Sequence, residues 1–68
     1  MNDTATAEAS ILRELRKEPL TEGQIAHALG MHRITARTAL ADLKRRGLVS
    51  VESKSLIRTT IDLWRATA

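Results

Sequence analysis

The sequence predicts a mainly α-helical domain in which three helices are followed by a small β-hairpin. Three observations predict this fold class. Apolar residues recur at helical spacing as far as residue 43. Glycines stand where the second and third helices would end. Beyond residue 48 apolar and polar residues alternate, as they do in strands. Because 68 residues are near the lower limit for a self-sufficient core, we expect one domain over residues 1–68.

The first helix is predicted over about residues 3–17. Four apolar residues share one helical face: Ala7, Ile11, Leu12 and Leu15. Glu18 then precedes Pro19, a pair that disfavours helix continuation.

The second helix, about residues 22–29, has clear signals at both ends. Thr21 is a suitable N-cap, and Gln24 stands three residues later, as a capping box requires. Gly30 can adopt the left-handed conformation that ends a helix.

The third helix is predicted over about residues 33–46. Its apolar residues form a single stripe: Ala36, Ala39, Leu40 and Leu43. Gly47 follows its end, where Leu48 can fold back on Leu43 in a Schellman arrangement.

A β-hairpin over about residues 48–63 accounts for the alternation that follows. We expect its tip near residues 53–55, where neither Asn-Gly nor Asp-Gly indicates the turn type. Residues 61–68 are compatible with either a strand or a last helical turn.

The charges divide unevenly along the chain. Residues 1–30 hold three basic and five acidic side chains, whereas residues 31–58 hold seven basic and two acidic ones. A polyanion-binding face would produce this asymmetry, and so would an ordinary solvated helix surface.

Catalytic and metal-binding classes find little support in the sequence. Cysteine is absent, and no acidic cluster accompanies His27 and His32, so we expect no metal site or cofactor. No phosphate-binding glycine loop or nucleophile–base set is visible, and we expect no enzyme activity. Trp64 is the only aromatic residue, which suits a core lid or a dimer contact better than base stacking.

Residues 20–48 resemble the winged helix-turn-helix superfamily of DNA-binding proteins. Ala26 matches the small residue at the closest approach of the two helices, and Gly30 matches the turn glycine. The core positions of the first helix in this motif are occupied by Ile25 and Leu29. Residues 40–49 look like the end of a recognition helix and its exit into a first wing strand.

The chain departs from the superfamily pattern at two positions. His32 stands where a Ser or Thr cap is usual, and Ala36 stands where a larger Val or Ile usually fills the core. We expect a recognition helix that is less well capped and more loosely packed.

The resemblance implies that the third helix enters the major groove of DNA with the face opposite its apolar stripe. Arg33 and Arg37 could each donate two hydrogen bonds to a guanine, and Ile34 could contact a thymine methyl group. The alternatives are a solvated face for the arginines and partial burial for Ile34. The expected DNA-binding residues are His32, Arg33, Ile34, Arg37, Thr38, Ala41, Lys44, Arg45, Lys54 and Arg58.

Several of these cations have a second explanation. Lys44, Arg45 and Arg46 would stabilise the helix dipole in any protein, whether or not they also contact phosphate. Lys54 at the expected wing tip suits a phosphate or minor-groove contact, but an ordinary loop lysine would look the same.

We therefore expect a sequence-specific transcriptional regulator, a repressor or an activator, that binds double-stranded DNA. The alternatives are a winged-helix protein-interaction module and an architectural accessory factor in replication or recombination. The small size of the chain favours a homodimer or a cooperative oligomer on DNA. The polar N-terminus and the lack of a long apolar run indicate a cytoplasmic protein, nucleoid-associated when bound, without a membrane partner.

Overall fold

The computed structural model describes residues 3–67, which form three helices and three short strands. In chain order these are α1 (Asp3–Lys17), β1 (Leu20–Thr21), α2 (Glu22–Leu29), α3 (Arg33–Arg45), β2 (Val49–Ser55) and β3 (Thr60–Ala66). Three helices with a small antiparallel sheet confirm the expected fold class. Within this range no helix has the length and apolar character needed to cross a bilayer.

The start of α2 is fixed by the reciprocal capping that its sequence predicts. The Gln24 backbone N–H donates to Thr21 Oγ1 over 3.2 Å, and the Thr21 backbone N–H donates to Gln24 Oε1 over 2.9 Å. Both bonds satisfy donors that a helix start otherwise leaves unpaired.

The start of α3 differs, as the departure at its cap residue predicts. His32 has the extended backbone of an N-cap (φ −69°, ψ 148°), but its side chain makes no capping hydrogen bond. The first turn of α3 therefore lacks the stabilisation that α2 has.

Glycines with positive φ follow both α2 and α3. Gly30 has φ 62° and Gly47 has φ 76°, values that cost a residue with a Cβ atom free energy. After Gly47, the Leu48 backbone N–H donates to the Leu43 carbonyl over 2.9 Å, which completes the predicted Schellman motif. This motif turns the chain directly from α3 into β2.

The core lies between the three helices and the sheet and is entirely aliphatic among the residues that are fully enclosed. Its buried members are Ile11, Leu15, Ile25, Ala26, Ala36, Ala39, Leu40, Leu43 and Val49. Trp64 in β3 is half-buried and packs against this cluster, as expected of a core lid.

The sheet contains a strand that the sequence did not predict. Its order is β1-β3-β2, and β1 pairs antiparallel with β3 through Leu20 opposite Trp64 and Thr21 opposite Leu63. The N-cap Thr21 thus also belongs to the sheet. This pairing anchors the start of α2 to the hairpin of β2 and β3, which is the wing.

The hairpin reverses later than the sequence suggested. The expected tip near residues 53–55 is wrong, because Lys54 and Ser55 pair with Ile61 and Thr60 inside the ladder. The turn instead covers residues 56–59 and is closed by the Leu56 backbone N–H, which donates to the Thr59 carbonyl over 2.7 Å. The returning strand continues to Ala66, so residues 61–66 are strand and not a helical turn.

Candidate nucleic-acid interface

The side of α3 opposite its buried stripe is open to solvent. Ala36, Leu40 and Leu43 are fully enclosed, whereas Ile34 is 73% exposed. The exposed residues of this helix are Arg33, Ile34, Thr35, Arg37, Thr38, Ala41, Lys44 and Arg45. They include every residue of α3 that the sequence nominated for DNA contact, and they add Thr35.

Arg33 and Arg37 are both held by one carboxylate, that of Glu22 in the first turn of α2. Arg37 Nη2 lies 3.3 Å from Glu22 Oε1, and Arg37 Nε donates to Glu22 Oε2 over 3.5 Å. Arg33 Nε lies 3.7 Å from the same Oε1. The two arginines nominated for base reading therefore share a counterion.

Glu22 is more enclosed than the arginines it faces. Its side chain is 18% exposed, against 66% for Arg37 and 69% for Arg33. A cleft of about 300 Å³ opens beside the carboxylate and is lined by residues from β1, α2, α3 and β3. The carboxylate thus lies at the base of the arginine pair, and the guanidinium groups face solvent.

The end of α3 is tied to α1 by a second charge cluster. Arg46 Nη2 contacts a carboxylate oxygen of Glu8 in α1 and lies 3.1 Å from Asp42 Oδ2. Arg45 also pairs with Asp42. A hydrogen bond that protonated Glu8 donates to Asp42, with added desolvation, raises the pKa of Glu8, while accepting this bond and one from Arg45 lowers the pKa of Asp42. Arg46 therefore has a structural role, whereas Arg45 is paired only locally and stays exposed.

Three of the nominated cations have no ionic partner within residues 3–67: Lys44, Lys54 and Arg58. All three are exposed. The carboxylates of the hairpin are occupied elsewhere, since Glu52 lies 3.6 Å from Arg65 Nη2 and Asp62 accepts from the Ser53 hydroxyl over 2.7 Å. These three cations are thus available to an external anion.

The turn of the hairpin carries two exposed apolar residues that are not among the expected DNA-binding residues. Ile57 is 99% exposed and Leu56 is 54% exposed, next to Arg58 in the same turn. The misplaced tip explains the omission, because a tip at residues 53–55 leaves Leu56 and Ile57 inside the returning strand.

The last nominated residue to be placed is His32. His32 is exposed at the start of α3. Among the described residues, no group of three or more His, Asp or Glu side chains is arranged to hold a metal ion.

The role of Glu22 could not be predicted from the sequence. Glu22 contacts Arg37, which lies 15 positions further along the chain, and only the packing of α2 against α3 brings them together.

Comparison with known proteins places this geometry in context. The family described as the Crp-like helix-turn-helix domain matches residues 9–63. Reduced HlyU from Vibrio cholerae superposes with a TM-score of 0.72 at 21% sequence identity, covering 91% of this chain and 61% of that one. A mutant form of ZitR from Lactococcus lactis gives 0.71 at 24% identity, covering 98% of this chain and 43% of that one.

Both structural likenesses concern the fold. The chain spans about three-fifths of the HlyU chain and less than half of the ZitR chain. No curated protein sequence matches it significantly.

Proposed function

Since the chain belongs to the Crp-like helix-turn-helix domain family, we propose that it binds double-stranded DNA sequence-specifically and regulates transcription. Domains of this family bind DNA and catalyse no reaction. In the proposed complex α3 enters the major groove, and the hairpin of β2 and β3 contacts the flanking backbone.

The observation that carries this proposal is that exposed cations lie on both α3 and the hairpin. Lys44 on α3 and Lys54 and Arg58 on the hairpin are exposed and make no ion pair within the described range. Arg13 and Arg16 on α1 share this property, so it is the position of the three cations, on the elements expected to face DNA, that supports the proposal. Their availability on α3 and the wing together suits a phosphate backbone.

Base reading is assigned to the first two turns of α3. Arg33 and Arg37 lie one turn apart, so both could reach the same groove, and a guanidinium can donate two hydrogen bonds to guanine O6 and N7. Ile34 between them suits contact with a thymine methyl group, because 73% of it is exposed on an otherwise polar face. His32, Thr38, Ala41 and Arg45 complete the proposed contact surface.

A salt titration of duplex binding tests the proposal most directly. Each phosphate neutralised contributes about −0.9 to the slope of log affinity against log salt. Three cations assigned to phosphate, Lys44, Lys54 and Arg58, predict a slope of roughly −3, because Arg33 and Arg37 are assigned to bases. As a control, Arg13→Ala removes an exposed cation of α1, which lies outside the proposed surface, and should leave the slope unchanged. A slope near zero would contradict DNA binding.

One observation favours a second candidate function, that of a protein-interaction module. Ile34 on α3 and Leu56 and Ile57 on the wing are large apolar side chains exposed on the proposed surface. A protein partner would cover them and would show little salt dependence. The same titration therefore separates the two functions.

We further propose that residues 1–68 act as one domain in the cytoplasm and bind DNA as a homodimer or cooperatively. A molecule with principal extents of 43 × 24 × 20 Å covers little more than one helical turn of DNA. Sedimentation of the chain with a duplex carrying one or two copies of its site would give the stoichiometry.

A further inference from the structure

We infer that Glu22 is a positioning residue for DNA recognition, which holds Arg37 in the orientation that reads a base and keeps it from binding phosphate indiscriminately. The inference rests on the proposed DNA binding and assigns to α2 a part in sequence preference. It starts from the contact between Glu22 and the two arginines of α3.

The geometry of this contact leaves the reading edge of Arg37 unoccupied. A guanidinium has five N–H donors, and Glu22 engages the side formed by Nε and Nη2. The opposite edge, formed by Nη1 and the second hydrogen of Nη2, stays available. That edge can donate two parallel hydrogen bonds, which is the arrangement that guanine O6 and N7 accept.

The carboxylate is well placed to hold this orientation. Glu22 follows the N-cap Thr21, whose backbone is fixed both by the capping box and by its pairing with Leu63 in β3. With its side chain only 18% exposed, Glu22 has less freedom than the exposed arginines. It also lies in the first turn of α2, where the helix dipole stabilises a negative charge.

The same carboxylate opposes binding to random DNA. A phosphate can approach the same open edge, but its negative charge is repelled by the Glu22 carboxylate, whereas a guanine is neutral and can use this edge while the ion pair persists. Glu22 therefore weakens contacts to phosphate more than contacts to the base. The result is a larger ratio of specific to random affinity.

Glu22→Gln tests this role, because it removes the charge and retains nearly the same size. A preferred duplex is first obtained by selection from a random library with the wild-type chain. We expect the variant to bind random duplex more tightly and to lose roughly tenfold in the ratio of specific to random affinity. On random duplex its salt slope should steepen by about one unit, because the released guanidinium contacts one more phosphate.

The control is Glu18→Gln, which removes one negative charge from an exposed residue that has no ion pair within the described range. It should leave the affinity ratio unchanged. Thermal midpoints of both variants establish that each remains folded.

A double-mutant cycle shows whether Glu22 acts through Arg37. In an Arg37→Ala background, Glu22→Gln should cause no further change in preference at the base pair that Arg37 reads. Two results would overturn the inference and leave DNA binding intact. One is that Glu22→Gln in the wild-type background does not change the ratio of specific to random affinity. The other is that Glu22→Gln lowers this ratio equally in the Arg37→Ala background. A wild-type chain that binds no duplex at low salt would instead overturn the proposed function and this inference with it.

Discussion

At the scale of single residues, the N-cap of α3 lacks a hydrogen bond that another residue type could supply. His32 has N-cap backbone geometry without a side-chain hydrogen bond, whereas Thr21 at the corresponding position of α2 makes one. We expect His32→Ser to raise the free energy of unfolding by about 0.5–1 kcal/mol, because a hydroxyl there can accept from the first turn of α3.

Urea unfolding measures this gain, and Thr21→Ala is the matched comparison. It should cost about 1 kcal/mol, since it removes a capping bond that is already present. If His32→Ser lowered stability, His32 would have a packing role that its exposed position does not show. Weaker duplex binding by the same variant would support the expected contact between His32 and DNA.

Also at this scale, Arg33 and Arg37 are expected to carry most of the base preference. Each replacement by Ala should cost about 1–3 kcal/mol of specific binding and relax preference at one base pair. Lys44→Ala should instead weaken binding to all sequences about equally, because a lysine without a fixed partner contacts phosphate. Binding to a set of single-base variants of the preferred duplex measures both effects. Equal losses on specific and random duplex for Arg33 and Arg37 would show that they contact only the backbone.

At the scale of elements, α3 has to serve the core and the interface with opposite faces. Leu40 and Leu43 are fully buried on one face, and truncating either to Ala should cost about 2–5 kcal/mol. Thr38→Ala, on the exposed face, should change stability by less than about 0.5 kcal/mol. Thermal or urea unfolding compares the two. An unchanged midpoint for Leu40→Ala would contradict the assignment of the buried face.

The hairpin should contribute to binding without contributing much to stability. Lys54 lies within β2 and Arg58 lies in the turn, and both are exposed and without an ionic partner in the described part of the chain. We expect either Ala variant to leave the thermal midpoint nearly unchanged and to reduce the salt slope by about one unit. Arg65→Ala is the control, because Arg65 is paired with Glu52 across the strands. If both wing variants kept the wild-type slope and affinity, the hairpin would not contact DNA.

At the scale of the whole molecule, sequence reasoning succeeded where the determining contacts are local. The capping box joins residues three apart, and the Schellman bond joins residues five apart, so both could be read from neighbouring positions. The pairing of β1 with β3 and the contact of Glu22 with Arg37 depend on how distant elements pack. Their residue types are ordinary ones for a cap or a solvated surface, so the sequence offered nothing to identify them.

The charge cluster that joins α1 to the end of α3 gives the last prediction, which concerns pH. Arg46 joins Glu8 and Asp42 across 38 positions of chain and so ties α1 to the end of α3. Arg46→Ala would leave the two carboxylates facing each other. We expect the variant to be destabilised most near neutral pH, where both are ionised.

The pH dependence follows from the directions of the two pKa shifts. The raised pKa of Glu8 means that the folded state holds its proton more tightly than the unfolded state, so this stabilisation is present at low pH and is lost as pH rises. The lowered pKa of Asp42 has the opposite effect on stability. Its stabilisation is present above the ordinary pKa of Asp42 and is lost as pH falls through the lower, folded-state value.

Between the two pKa values Glu8 is protonated and can donate to the Asp42 carboxylate. In that window the missing Arg46 matters least, so the difference in thermal midpoint between Arg46→Ala and wild type should shrink as pH falls from about 7 to about 4. Arg45→Ala removes a cation that pairs with Asp42 and does not contact Glu8, so it should show no such relief. A midpoint difference for Arg46→Ala that stays constant across this range would mean that Glu8 and Asp42 do not share a proton.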